Sequence, residues 1–445
     1  MQLQGKKCGV FGLGVSGVSA AKFLLKQGAQ VFIVNQGQPS TWGNLQALTG
    51  ATLISQDDPT ASEHLARCEV VVLSPGIPRN HSLLLPVHSQ GVPVISEIEL
   101  AYPFVNKAPI LAITGSNGKT TTVTLLAKSL EAIGKKVFLG GNIGTPLCEL
   151  AIDYKDVDFI VLELSSFQLE SMLTFRAQVS AIINLTMNHG ERYHDFEDYA
   201  RAKFHITDRQ EKVDSFIYDG GAKFLTEWSE RLDCHKSPIN LHDKKEMLDE
   251  LQKDFDLSHL LLPGDHNLAN LRVVQEFFRA LKLDHKGIQK VINTFPGVSH
   301  RVEFVKHSGP FICYNDAKST NWDATLAALK SMAEKAKPLW LVLGGQPRGF
   351  GEEPNEEFKK YVRENVEMVL VIGAAQSFVQ KMLSHDVKVF LADNLDGVVS
   401  KVRDEKFAGT LLFSPAFPSF DQFKNYVDRG NSFKNKINEI DWSKL

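Results

Sequence analysis

Short apolar runs alternate along this chain with longer stretches whose apolar positions recur at helical spacing, the pattern of parallel sheets layered with helices. Near the start, Cys8–Phe11 and Gln30–Val34 read as strands flanking a helix through Ala20, Phe23 and Leu24 that stops at Gly28. Glu69–Leu73 and Val92–Ser96 continue the series. In the middle, Pro109–Ile113 reads as a buried strand, followed by a helix with Val123, Leu126, Leu130 and Ile133 on one face and a stop at Gly134. Lys136–Leu139, Asp158–Leu164 and Val179–Leu185 read as further strands, and Phe196–Ile206 as a helix with Tyr199, Lys203 and Ile206 on adjoining turns. In the last third, strands are expected at Phe311–Asn315, Leu339–Leu343, Met368–Ile372, Lys388–Leu391 and Thr410–Phe413. The predicted fold is α/β with three domains: a Rossmann-like domain over 1–97, a central P-loop ATPase-type domain over 98–297, and a second Rossmann-like, doubly wound domain over 298–445. Pro296-Gly297 marks the last boundary. Residues 207–262 are polar and weakly patterned, and a peripheral subdomain is expected there.

Composition narrows the function classes. At 445 residues there is length for roughly three domains of ~150 each. Lys and Arg number 49 against 52 Asp and Glu, a net charge of -3, which is no footprint for nucleic acid. An anionic substrate must therefore be held by local cations. No apolar run approaches the ~20 residues of a membrane span, and MQLQGKK lacks the apolar core of a signal peptide. The five cysteines are scattered without a C-x-x-C pair, as suits reduced thiols in a cytosol. A chain of the cytoplasm, without membrane insertion, is expected.

The strongest chemical signal is Thr114–Thr122, TGSNGKTTT, between a predicted strand and a predicted helix. Gly115 and Gly118 let backbone N–H groups turn toward a phosphate, and the helix N-terminus favours the same anion. Lys119 can reach β- and γ-phosphates, and the Thr120 hydroxyl can ligate Mg²⁺. The spacing G-x-x-G-K-T is a shortened form of the general phosphate loop, with Ile113 where a small residue is usual. Glu163 ends a four-residue apolar run, Phe159–Leu162, the layout of a carboxylate that holds Mg²⁺ opposite Thr120. The glycines of GGNIG, Gly140–Gly144, bring backbone close to a ligand with Asn142 among them. His189 follows a strand end, and from position alone a loop histidine is as readily solvated as functional. Lys203 is not distinguished by composition from a surface lysine.

Two further sets of loops stand out. Gly12-Leu13-Gly14-Val15-Ser16-Gly17 is a G-x-G-x-x-G that follows a strand, but Asn35, Gln36 and Gly37 supply no acid for a nicotinamide ribose. A diphosphate other than NAD fits it better. Ser74-Pro75-Gly76 ends another strand on the ligand side, or is a plain turn. In the last domain, Asn315–Asn321, Gly344–Gly349 and Ser414–Ala416 with Ser419–Asn425 cluster at strand ends, which points to a shared ligand site. Asn267 and Asn270, three apart at a helix start, share a face and can read a base or cap the helix.

The segments TGSNGKTT, GGNIG, LELSSFQLE, NHGERY, YARAK, GDHNLAN, SHR, NDAKSTN and SPAFPSFDQFKNYVDRGNSF occur in this order, and together they resemble the Mur ligases. LELSSFQLE and DQFKN resemble most the members that add D-glutamate. The likeness is weakest over 207–262. It implies an ATP-dependent ligase that adds D-glutamate to UDP-N-acetylmuramoyl-L-alanine through an acyl phosphate, in peptidoglycan precursor synthesis. It further implies that Gly14, Val15, Ser16, Asn35, Gln36 and Gly76 meet the UDP group, with Asn142 near the substrate. ATP would be held by Gly115, Ser116, Asn117, Gly118, Lys119, Thr120 and Thr121, with Asn267, Asn270, Arg301, Asp316 and Lys318. Two Mg²⁺ ions are implied, with Thr120, Glu163, His189 and Lys203 as the metal set and Lys203 N-carboxylated. Thr320, Arg348, Ser419 and Tyr426 match the D-glutamate pocket, and Lys119, His189, Lys203 and Lys318 the catalytic set. The chain departs from the family where Asn35 replaces an acid, where Pro347 and Arg348 replace an acid and a lysine, and where Tyr426 replaces a phenylalanine. Arg348 keeps a cation of different geometry. The alternatives are a related ligase such as a folylpolyglutamate synthase, a nicotinamide-dependent oxidoreductase using Gly12, Gly14 and Gly17, and a nucleotide-gated binding protein.

Overall fold

The apolar runs form strands because residues buried on both faces of a parallel sheet need no polar alternation. A computed structural model describes residues 2–440 except 44, 106, 154–155, 187–192, 263, 333–337 and 348–352. The chain divides into two compact units, one of residues 1–255 and 269–291, the other of residues 256–268 and 292–445. His189 and Arg348 lie outside the described residues.

The first unit contains two sheets. β1 (Lys7–Phe11), β2 (Gln30–Asn35), β3 (Thr52–Ser55), β4 (Val70–Leu73) and β5 (Val94–Ile95) are ordered β3-β2-β1-β4-β5 and all parallel. This is a doubly wound order, with its switch point between β1 and β4, where such sheets open a crevice for ligand. The second sheet holds β6 (Ile110–Thr114), β7 (Val137–Gly141), β8 (Phe159–Glu163), β9 (Val179–Ile182), β10 (Ser215–Asp219) and β11 (His235–Ile239). Its order is β11-β10-β9-β6-β8-β7, again parallel throughout. β10 and β11 correct the expectation of a peripheral subdomain over 207–262: they extend the central sheet. Phe216, Ile217 and Tyr218 are buried and carried the signal, whereas β11 is an edge strand holding Pro238 and an exposed Lys236.

The two sheets share one core, in which Val10, Phe23 and Val72 join Leu150, Ile160 and Phe204. Helix Glu97–Val105 ties them together. Its Glu99 carboxylate accepts from the backbone N–H of Thr174 at 2.8 Å and of Phe175 at 3.1 Å, and Glu97 accepts from the N–H of Cys148.

The second unit is built on β12 (Glu303–Ser308), β13 (Phe311–Asn315), β14 (Leu339–Gly344), β15 (Met368–Ile372), β16 (Lys388–Asp393) and β17 (Thr410–Ala416), ordered β12-β13-β17-β14-β15-β16. The doubly wound sheet expected here is present, and it is mixed, because β12 runs antiparallel to β13 at the edge. An antiparallel edge on a parallel sheet is a common arrangement, and EFVKHS has too few buried positions to read as a strand. No described helix is long and apolar enough to cross a membrane.

Candidate functional site

The loop after β6 is positioned by the sheet itself. β6 lies between β8 and β9, and Ile113 is paired in register with Glu163, so the loop and the acid emerge side by side. Helix Lys119–Ala132 begins directly after the loop, with Gly118 at its N-cap in the left-handed region at φ 80°. A Cβ on Gly118 would also lie 2.6 Å from Asn270 Oδ1, so only glycine fits there. Asn270 is thereby placed against the loop, where its Oδ1 accepts the Thr122 hydroxyl at 3.0 Å. Lys119 folds back over the loop, its Nζ donating to the carbonyls of Gly115 at 2.8 Å and Ser116 at 3.0 Å.

Glu163 is 2% exposed. The Thr120 hydroxyl donates to one carboxylate oxygen and the Asn142 amide to the other, each at 2.8 Å. Lys203 is equally buried, donates to the Thr114 hydroxyl at 3.2 Å, and sits 4.8 Å from the centre of the Tyr199 ring. Burial, with the nearby Lys119 charge, pushes the Lys203 amine down to about 7, while Glu163 acts in the opposite direction. A sizeable fraction of this amine is thus unprotonated near neutrality. Tyr199 joins helix to loop, its hydroxyl 3.0 Å from Ser116 Oγ. Thr120, Asn142, Glu163, Lys119 and Lys203 are therefore brought together in one site.

The arrangement fits a hard cation. Mg²⁺ keeps several waters and is held by one or two carboxylates plus substrate phosphates. A buried carboxylate whose hydrogen-bond partners are neutral, with a hydroxyl on the same oxygen, is that kind of donor set. No group of three His, Cys, Asp or Glu capable of holding a metal unaided occurs among the described residues.

At the β1/β4 switch point, Gly14, Val15, Ser16, Asn35, Gln36 and Gly76 line one cavity of about 360 Å³, together with Gln56 and Ser74. The side chain of Asn35 turns inward and its Oδ1 accepts the Leu13 N–H at 3.0 Å, while the Ser74 hydroxyl donates to the Gly12 carbonyl at 2.9 Å. Helix Val15–Lys26 opens at this cavity without a side-chain cap. Among the described residues no lysine or arginine lines it, and what it offers an anion is the N-terminus of helix Val15–Lys26.

In the second unit, Asp316, Lys318, Thr320, Ser419 and Tyr426 follow the ends of β13 and β17. Lys318 Nζ lies 5.6 Å from the centre of the Tyr426 ring. Ser419 is buried, Thr320 and Tyr426 half-buried, and Arg301 exposed. Asn267 is buried, its amide 3.1 Å from His266 Nε2. A residue overlooked in the sequence organises this edge. Arg429 is fully buried, and its guanidinium donates to the carbonyls of Phe417 and Ala317 at 2.9 Å and of Gly344 at 3.2 Å, one from each of three strand-end segments. A charged residue inside a helix of unremarkable polarity gives no sequence signal of such burial. Asp316 accepts the Ser414 hydroxyl at 2.7 Å, and burial pushes its carboxyl up to about 7.

Comparison with known proteins agrees with this geometry. A model of the Mur ligase middle domain matches residues 113–275, and one of the Mur ligase MurD-like N-terminal domain matches residues 6–96. A UDP-N-acetylmuramoylalanine–D-glutamate ligase of Caldanaerobacter subterraneus subsp. tengcongensis is 33% identical over 99% of this chain and 100% of that relative. The chain belongs to the Mur ligase family. A ligase of the same name from Geobacter sp. (strain M21) is also 33% identical, over 98% of both chains. Mur ligases are ATP-dependent enzymes that form amide bonds. The fold is shared with the MurF ligase of Thermotoga maritima solved in complex with ADP, at 14% identity and a TM-score of 0.57 over 92% of this chain and 95% of that one. Membership in this family displaces the oxidoreductase and binding-protein alternatives.

The Asp316 carboxyl yields a pH prediction. Its ordinary value is 3.8 and its folded value about 7, so between these the folded chain holds a proton that the unfolded chain has released. Its favourable contribution is complete below the lower value and is lost as pH rises through the upper one. Asp316→Asn should therefore raise the calorimetric melting temperature of the second unit more at pH 8 than at pH 5. Equal shifts at the two pH values would contradict this.

Proposed function

We infer that this chain joins D-glutamate to UDP-N-acetylmuramoyl-L-alanine at the expense of ATP, forming an amide bond in peptidoglycan precursor synthesis. The observation that carries the chemistry is the juxtaposition of the Lys119 loop, the buried Glu163–Thr120 pair and the buried Lys203 amine. The full-length likeness to D-glutamate ligases carries the substrate. The UDP group is read as occupying the β1/β4 cavity, whose lining of backbone amides suits a diphosphate and whose Asn35 does not suit a nicotinamide ribose.

A carboxylate does not accept an amine directly, because its leaving group is poor. The alanyl carboxylate first attacks the γ-phosphorus of ATP, the bond to the β-phosphate oxygen breaks, and ADP leaves. The neutral D-glutamate amine then adds to the acyl carbon, the tetrahedral adduct gives up one N–H proton to water or to the departing phosphate, and the C–O bond to phosphate breaks to leave the amide. Two unit negative charges at ~4 Å repel by about 4 kcal/mol at an effective dielectric near 20, so the first step needs local positive charge. Lys119 supplies part of it at the β- and γ-phosphates, and the first-turn amides of helix Lys119–Ala132 add more. Bound Mg²⁺, two ions in this reading, would neutralise phosphate charge, with Thr120, Glu163, His189 and Lys203 as the proposed ligand set. An unprotonated Lys203 amine can add to CO₂ and lose a proton, which converts a buried cation into an oxygen donor. Its pKa of about 7 makes that reaction accessible near neutrality. Asn267, Asn270, Arg301, Asp316 and Lys318 serve the nucleotide in this proposal, Asn142 the muramoyl substrate, and Thr320, Arg348, Ser419 and Tyr426 the amino acid. The enzyme is proposed to act as a monomer in the cytoplasm.

Purified protein with ATP, Mg²⁺ and UDP-N-acetylmuramoyl-L-alanine should release phosphate on addition of D-glutamate and not of L-glutamate. Equal release with L-lysine would move the assignment to another amino acid. Lys203→Ala should be nearly inactive and regain activity with added formate or acetate, which restore an oxygen ligand. Failure of every short carboxylate to restore activity would count against the carbamate.

A further inference from the structure

We propose that Asn184, two residues after β9, is a positioning residue that sets which backbone amides of the nucleotide loop face the phosphates. Its side chain makes three hydrogen bonds with the loop. Oδ1 accepts the N–H of Ser116 at 3.0 Å and of Asn117 at 2.8 Å, and Nδ2 donates to the Asn117 carbonyl at 3.1 Å. Two donors on one side and an acceptor on the other fix the orientation of the amide. The Asn184 carbonyl also accepts the Ser116 N–H at 3.1 Å. Ser116 is bound to the same segment through its hydroxyl, which accepts the Thr186 N–H at 2.9 Å and lies 2.8 Å from the Thr186 carbonyl.

The consequence is a division of labour within TGSNGKTT. Gly115 presses on this segment so closely that a Cβ there would lie 2.6 Å from Ile183 Cγ1 and 3.3 Å from the Asn184 carbonyl oxygen. The first half of the loop is thus fastened to β9, and the N–H groups of Ser116 and Asn117 are directed at Asn184 rather than at a ligand. The anion is left to the amides of the first helical turn, which have no partner within the helix, and to Lys119. Ser116 and Asn117, expected from the sequence to contact ATP, act in this proposal through the loop's shape. The residues joined by Asn184 belong to adjacent strand ends of one sheet, since β6 pairs with β9.

The role rests on the reading that this loop binds ATP, and the experiment separates the two. Binding of ADP and ATP with Mg²⁺ to the full chain is measured by calorimetry, alongside the KM for each substrate, kcat and the melting temperature. Parent protein that binds no nucleotide would sink the ATP reading. If the parent binds, Asn184→Ala should weaken ADP and ATP about tenfold to a hundredfold, the loss of one to two loop contacts, and leave the KM for UDP-N-acetylmuramoyl-L-alanine within about threefold. Asn184→Ser, a smaller change that keeps one acceptor oxygen on a shorter arm, should show the same selective loss and guards against a variant that does not fold. Nucleotide affinity held at the parent value with only a lower melting temperature would make Asn184 merely structural and overturn the proposal. Tighter nucleotide binding would show that Oδ1 stands where a phosphate oxygen belongs, and would overturn it equally.

Discussion

The central sheet ends in a buried carboxylate whose hydrogen bonds come from neutral groups. Glu163 is buried at the tip of β8, its hydrogen-bond partners are the neutral Thr120 hydroxyl and Asn142 amide, and the buried lysine nearby has an amine poised to lose its charge near neutrality. Burying a charge without a full counter-charge is costly, and a chain selected only for stability would place leucine there. In the proposed function the cost would be offset when a divalent cation and its triphosphate bind, and the penalty in the resting protein would become affinity for the charged ligand. The parallel pairing of β6 with β8 makes this possible by fixing the acid beside the loop.

The same device recurs in simpler form at the β1/β4 switch point. Both sites join a strand end, a glycine-containing loop and the N-terminus of a helix. They differ in what accompanies the backbone amides. Among the described residues that line the first cavity there is no lysine, arginine or carboxylate. The second carries Lys119, Glu163 and Lys203, and suits a phosphate whose bonds break. The shared core and the carboxylates of Glu97 and Glu99 connect the two sheets within one unit. In the second unit a buried arginine plays a comparable organising part, gathering three strand-end carbonyls.

Much of this could be read directly from residue order. Strands β1, β6, β8 and β14 are apolar because neighbours cover both faces, and the phosphate loop announces itself by glycine, lysine and threonine at fixed spacing. Edge strands β11 and β12 were hidden because one side meets solvent and their residues are mixed. Asn184 and Arg429 were invisible for another reason. Each works through backbone groups distant in sequence, which leave no trace in local spacing. Lys203 lies between these cases: resemblance pointed to it, but only its burial, with Lys119 nearby, brings its amine down to about 7.

The account stands on Glu163 converting buried negative charge into metal-dependent nucleotide affinity. The most direct measurement is the calorimetric affinity for ATP with and without Mg²⁺, in the parent chain and in Glu163→Gln. Magnesium should tighten ATP binding to the parent by about tenfold or more, roughly the free energy of one charge-assisted contact, and that gain should vanish in the variant. An equal gain from magnesium in both proteins would contradict the account.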